Sequence, residues 1–264
     1  MAPTTGVQAP SRARITVRSL RTDRWWIQPT VTAIVLLGFV AYATYRAFAG
    51  EYYFSEPYLT PFYSPCITDA CVEGSSHLGS LGGWWPLSPA VLILVIPLSL
   101  RLTCYYYRKA YYRSIWASPP ACAVAEPHRS YSGETRFPLV LQNVHRYALY
   151  LALAYNVLLA YDAVLTFRSP SGEWGHVGLG TLIFVTNAVL LGLYSLSCHS
   201  CRHIIGGRLR SFSKHPVRYR AWGIVSTLNG KHAQLAWVSL IWVAFTDFYV
   251  WMLASGTFTD PRLF

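Results

Sequence analysis

Charge is what this chain has least of. Asp, Glu, Lys and Arg together make up 12% of its 264 residues, where soluble domains carry about 25%. That shortage excludes a soluble enzyme of ordinary composition. A 53% hydrophobic share excludes a disordered chain. Acid is scarcer than base, 11 residues against 22, for a net charge of +11. The sequence also lacks an internal repeat and a low-complexity run. No leader with a small-residue cleavage site is read ahead of the first apolar run. Aromatic rings, by contrast, are plentiful at 16%, with 10 Trp and 19 Tyr. Such amphipathic rings favour a membrane–water boundary. The positive charge is therefore read as a matter of topology, and no nucleic-acid partner is expected.

Five apolar segments each approach the roughly 20 residues that a helical span requires. They run from Ile27 to Phe48, Ala90 to Tyr107, Leu139 to Phe167, Val177 to Cys201 and Ala233 to Ala254. Lipid leaves no partner for exposed backbone, so the spans are expected to be helices packed as a bundle. Lys and Arg then set the orientation. The N-terminal arm carries Arg12, Arg14, Arg18, Arg21 and Arg24. The 108–137 connection carries Arg108, Lys109, Arg113, Arg129 and Arg136, and the 202–231 connection carries seven more, from Arg202 to Lys231. The 50–88 connection has none, and holds Glu51, Glu56, Asp69 and Glu73. The expected protein is all-α and spans the membrane five times, with a cytoplasmic N-terminus and an outer C-terminus. Residues 1–25 form the basic arm and residues 26–256 the membrane domain. The 50–88 loop is an ordered extracytoplasmic cap, and residues 257–264 are an outer tail.

Cysteines divide by side. Cys66 and Cys71 fall in the outer loop, where oxidation is permitted and a local disulfide is the simpler reading. Cys104, Cys122, Cys198 and Cys201 fall at cytoplasmic ends, as free thiols or ligands. Cys198 and Cys201 are three apart, a spacing that puts both sulfurs on one helix face and suits zinc or an iron–sulfur centre. The simpler alternative is two small packing residues. His145 lies seven residues after Pro138 and His232 opens the fifth span. Four spans thus place Cys or His in one inner layer, as ligand sites in bundles are built. The preferred ligand set is Cys198, Cys201, His145 and His232, with Cys104, His199 and His203 as substitutes. Two thiolates and two imidazoles on one [2Fe–2S] cluster is the Rieske arrangement. A b-type haem held by two of the histidines competes with it.

Arg101 and Arg146 lie in the same inner layer, and an ion within the membrane is costly enough to suggest function. Snorkelling to the surface is the alternative. Asp162 and Asp247 form the opposite layer. They either pair with Arg46 or Arg168, or serve protons or a second, outer quinone. A quinone needs donors for its carbonyls and aromatic walls. Trp25, Trp26, Arg101, Tyr105, Tyr106 and Arg108 offer both near the inner face.

Several stretches resemble the membrane anchor of an actinobacterial, mycobacterial-type succinate dehydrogenase. They are SRARITVRSLRTDRWW at 11–26, PFYSPC at 61–66, RLTCYYYRKAYYR at 101–113, GETRFP at 133–138 and QNVHRY at 142–147. The resemblance runs from about Ser11 to the end of the fifth span. It implies a bacterial plasma-membrane subunit with a flavoprotein and an iron–sulfur subunit as cytoplasmic partners, and a possible higher oligomer. Succinate would be oxidised at the partner's flavin, since this chain has no succinate site. Electrons would pass to menaquinone or ubiquinone at the anchor. Many anchors of this class hold haem. The mycobacterial type favours a Rieske-type cluster, although the ligand spacing here departs from the soluble Rieske pattern. The rival from another class is a small transporter. A metal-free, purely structural anchor is a third reading.

Overall fold

The computed structural model describes residues 21–124, 137, 139–207 and 209–264. Arg12, Arg14, Arg18, Arg129, Arg136 and Arg208, which were counted for orientation, lie outside the described residues. So do residues 11–20, 133–136 and 138 of the resemblance segments.

The described residues are mostly helical. Helix α1 (Ile27–Ala49) ends at Gly50, whose φ of +69° is the left-handed turn that glycine adopts without strain. The loop that follows holds a two-residue antiparallel pair, β1 (Phe54–Ser55) with β2 (Tyr58–Leu59), in the register Phe54–Leu59 and Ser55–Tyr58. Then come α2 (Pro89–Ile93), α3 (Val95–Thr103) and α4 (Tyr105–Ser114). A 3-10 turn, Leu139–Val144, leads into α5 (His145–Leu165). The chain closes with α6 (Leu179–Leu196), α7 (His199–Gly206), α8 (Pro216–Asn229) and α9 (His232–Ala254). Helix α5 packs on α3 and α6, α6 on α9, and α7 on α8, while α1 leans on α4 and α2.

Four stretches are long and apolar enough to cross a membrane: α1, Val140–Leu165, α6 and α9. The second expected span, Ala90–Tyr107, is no straight rod. Pro97 has no N–H to donate and its ring crowds the Ile93 carbonyl, and α2 gives way to α3 at that turn. At Cys104 the backbone becomes extended (φ −66°, ψ 131°), and the chain bends by 76° into α4. Composition accounts for the second break. The stretch Tyr105–Arg113 carries tyrosine hydroxyls and three cations, which favour an interface over hydrocarbon. Taken together, the bent pair makes a fifth apolar stretch long enough to cross.

The fourth expected span, to Cys201, is shorter than expected. Helix α6 stops at Leu196, Cys198 is an extended corner (φ −61°, ψ 140°), and α7 starts anew. Cys198 and Cys201 therefore do not share a face of one continuous helix. The 202–231 connection, read as a link, contains α8.

The 50–88 segment packs as a cap. Tyr53, Leu59, Phe62, Tyr63 and Cys66 are buried in one cluster with Ala47, Tyr155, Leu159 and Val243 from the helices. A disulfide joins Cys66 to Cys71.

Candidate functional site

Two corners and two helix starts build the site. Cys104 and Cys198 each occupy the extended residue between a membrane helix and the helix after it. His145 is the first residue of α5 and His232 the first of α9. The four are brought together crosswise. His145 Nε2 lies 3.0 Å from the Cys198 Sγ, and His232 Nε2 lies 3.4 Å from the Cys104 Sγ. On the far side of each ring, Nδ1 meets a hydroxyl at 2.7 Å, Thr103 for His145 and Ser197 for His232. Each corner thus supplies a thiol to one histidine and a hydroxyl to the other. Cys104, Cys198 and His232 are at most 2% exposed.

Among the described residues no three His, Cys, Asp or Glu side chains are arranged around a single metal ion. A binuclear cluster asks for something else, since it brings its own bridging sulfides and takes two protein ligands per iron. Two thiol–imidazole couples, with Cys104, Cys198 and His232 buried and each imidazole's second nitrogen already engaged, offer donors of that number and kind.

Of the remaining residues marked in the sequence, Cys201 is buried in the same cluster as Cys104 and Cys198, but on the first turn of α7. It makes neither of the two thiol–imidazole contacts. His199 and His203 meet each other on the exposed side of α7, Nε2 to Nε2 at 2.9 Å. Arg101 turns inward instead of lining the surface with Tyr105 and Arg108. Its guanidinium lies 4.8 Å over the Tyr194 ring, bonds to Tyr107, and donates to the Ala236 carbonyl and Ser239. Tyr194 in turn stacks on His232, with centroids 5.1 Å apart. Arg146 is exposed.

Trp25 and Trp26 lead into α1, which packs on α4. Tyr106 on α4 places its ring 5.3 Å from that of His232, and Arg108 donates to Gln142 and covers Tyr105. A cavity of about 280 Å³ runs between α1, α3, α5 and α6; it is walled mainly by apolar side chains, with Arg101, Asn156 and Tyr194 among its lining.

At the opposite end of the bundle, Asp247 is fully buried. It accepts hydrogen bonds from Tyr42, from Thr60 and from Arg46 at 2.8 Å. Arg46 spends its other donors on the carbonyls of Glu51 and Tyr52. Asp162 pairs with neither arginine proposed for it. Its partners are Ser64 and His77, the latter at 3.0 Å, while Arg168 lies over Trp174. Both carboxylates therefore fasten the 50–88 cap to the helices.

Sequence reasoning missed Thr103 and Ser197. The signal was there, because each immediately precedes its corner cysteine: Thr103–Cys104 and Ser197–Cys198.

A family model described as "Actinobacterial succinate dehydrogenase subunit SdhC" matches residues 27–256. A chain of a solved structure, "Mycobacterium smegmatis Sdh1 complex in the apo form", is 55% identical. The match covers 98% of this chain and 99% of that one, with a TM-score of 0.88. A comparison with curated proteins finds no match.

Proposed function

This chain belongs to the actinobacterial succinate dehydrogenase SdhC family, and from that premise we propose that it anchors a succinate dehydrogenase in the bacterial plasma membrane and relays electrons to quinone. Its partners are the flavoprotein and iron–sulfur subunits of that complex. They dock at the end of the bundle that carries the two cysteine corners, which is the cytoplasmic end. Two observations support that orientation: the basic helices α4, α7 and α8, with Arg108, Lys109, Arg113, Arg202, Arg218 and Arg220, adjoin these corners, and the disulfide-bearing cap lies at the other end. The chain crosses the membrane five times, with the bent α2–α4 unit counted as one crossing.

The relay is a Rieske-type [2Fe–2S] cluster held by Cys104, Cys198, His145 and His232. The single observation that carries this is the crosswise pair of thiol–imidazole contacts from four different elements. When bound, the cluster accepts and passes one electron at a time. The protein's own part is to bring the four donors together, to keep water away, and to hold positive charge nearby in Arg101. Haem b is the weaker reading, because each open imidazole nitrogen meets a thiol, the donor set of a mixed-ligand cluster. Tyr106 stands beside His232, so Trp25, Trp26, Tyr105, Tyr106 and Arg108 form the quinone side of the layer. The transporter reading has no support from the family.

The test is spectroscopic. Purified with its partner subunits, the reduced complex should give a Rieske-type EPR signal, with no Soret band that shifts on reduction. A shifting Soret band without that EPR signal would replace the cluster with haem.

A further inference from the structure

We propose that Thr103 and Ser197 are positioning residues that fix the ring tautomers of His145 and His232, so that both histidines present an unprotonated Nε2 to the cysteines. The inference rests on the cluster reading above, and it follows from counting hydroxyl protons.

A hydroxyl has one proton to give and two lone pairs. The Ser197 Oγ lies 2.8 Å from the Tyr194 carbonyl, which can only accept. That carbonyl needs the proton. The Ser197 amide donates to Leu193, but the Cys198 amide donates to Ser195, so the α6 ladder passes over Tyr194 as it tightens into the corner. A buried carbonyl left without a donor is costly. With its proton given to the Tyr194 carbonyl, the Ser197 hydroxyl accepts at 2.7 Å from His232 Nδ1. Nδ1 carries the ring hydrogen, and Nε2 keeps its lone pair toward Cys104.

The other corner reaches the same arrangement through the back-bond a helical threonine makes to the carbonyl four residues earlier. The Thr103 Oγ1 lies 2.7 Å from the Ser99 carbonyl and 3.4 Å from that of Leu100. The Cys104 amide donates to Arg101, so this ladder also skips a carbonyl, that of Leu100. With its proton given to a carbonyl, Thr103 accepts from His145 Nδ1. His145 Nε2 is then the open nitrogen facing Cys198. The corners do two jobs with adjacent residues. The extended Cys ends the helix, and the hydroxyl before it donates to a carbonyl of its own helix, Ser99 for Thr103 and Tyr194 for Ser197, and sets a histidine 42 or 35 residues further along the chain.

Loss of such an outer partner typically costs about 10–100-fold in metal affinity. The test uses the intact complex under limiting iron, with Thr103→Val and Ser197→Ala set against Thr103→Ser and Ser197→Thr. Cluster occupancy is read from the EPR signal, and the tautomer from nitrogen hyperfine couplings. Thr103→Val and Ser197→Ala should each lower occupancy about 10–100-fold or change the couplings, and the hydroxyl-keeping variants should retain both. Full occupancy with unchanged couplings in Thr103→Val and Ser197→Ala overturns the proposal. So does equal loss in Thr103→Ser and Ser197→Thr, which would make bulk at these corners, not the hydroxyl, the requirement. A wild-type complex without the signal overturns the cluster reading and this proposal together, whereas a wild-type signal that tolerates valine and alanine overturns only this one.

Discussion

Individual side chains separate the proposed ligands from their neighbours in this bundle. Cys104 and Cys201 are both buried thiols near the inner layer, yet only Cys104 meets an imidazole. Cys104→Ser is expected to abolish the Rieske-type EPR signal, while Cys201→Ser keeps it; the opposite result would restore the Cys198–Cys201 pair read from spacing. At the far end, Arg46 and Asp247 are 1% and 0% exposed and bonded to each other. Removing one partner of a buried pair costs about 3–5 kcal/mol, because the other charge stays behind unpaired. Asp247→Leu should therefore lower the complex's melting temperature, while quinone reduction per surviving complex stays near wild type. A selective loss of turnover without a stability change would instead point to a proton path there. The sequence marked both aspartates as layer-forming. It did not reveal that His77, 85 positions from Asp162 in the chain, would be that residue's partner.

Helix ends carry most of what the elements contribute. Span positions are legible because apolar runs of sufficient length are rare, and four of them are helices long enough to cross. Where a run ends is another matter. Tyr105–Tyr107 is aromatic past its corner and Ser197–Cys201 carries no Lys, Arg, Asp or Glu, so composition extends each helix while Cys104 and Cys198 end it. A second device fastens the C-terminal tail. Asp260 accepts from Tyr58 of β2, from Tyr249 of α9 and from the Gly180 amide at the start of α6. Burial and the nearby carboxylate raise the Tyr58 phenol above its ordinary value of 10.0. A raised value favours the protonated form in the folded state. The link is thus fully present below pH 10 and weakens as pH climbs beyond it. Tyr58→Phe should remove that alkaline component and expose residues 257–264 to carboxypeptidase. Unchanged protection in Tyr58→Phe would show that Tyr249, the Gly180 amide and the backbone bonds from the tail to Val177 and Leu179 hold it without Tyr58.

For the whole molecule, orientation decides everything downstream, since soluble partners must meet the cysteine corners. Cys66 and Cys71 mark one end and the exposed Cys122 the other. In intact cells, a membrane-impermeant thiol reagent applied after mild reduction should label Cys71, which is not buried as Cys66 is, and spare Cys122. In inverted vesicles the pattern should reverse. Labelling of Cys122 from outside whole cells would turn the anchor over and remove the partner-docking argument.

Hydrophobicity is a property of short windows, so the sequence by itself determined the all-α membrane class and where the long apolar stretches lie. It also placed Cys104, Cys198, His145 and His232 in one layer, since depth along a helix is a matter of counting residues. Which of those thiols faces which ring was decided only by the tertiary structure. That choice depends on two backbone corners whose φ and ψ no periodicity encodes, and on hydroxyls that reach across from helices about 35 to 42 residues away in the chain. Local pattern sets how deep a side chain lies; packing between distant segments sets what it touches.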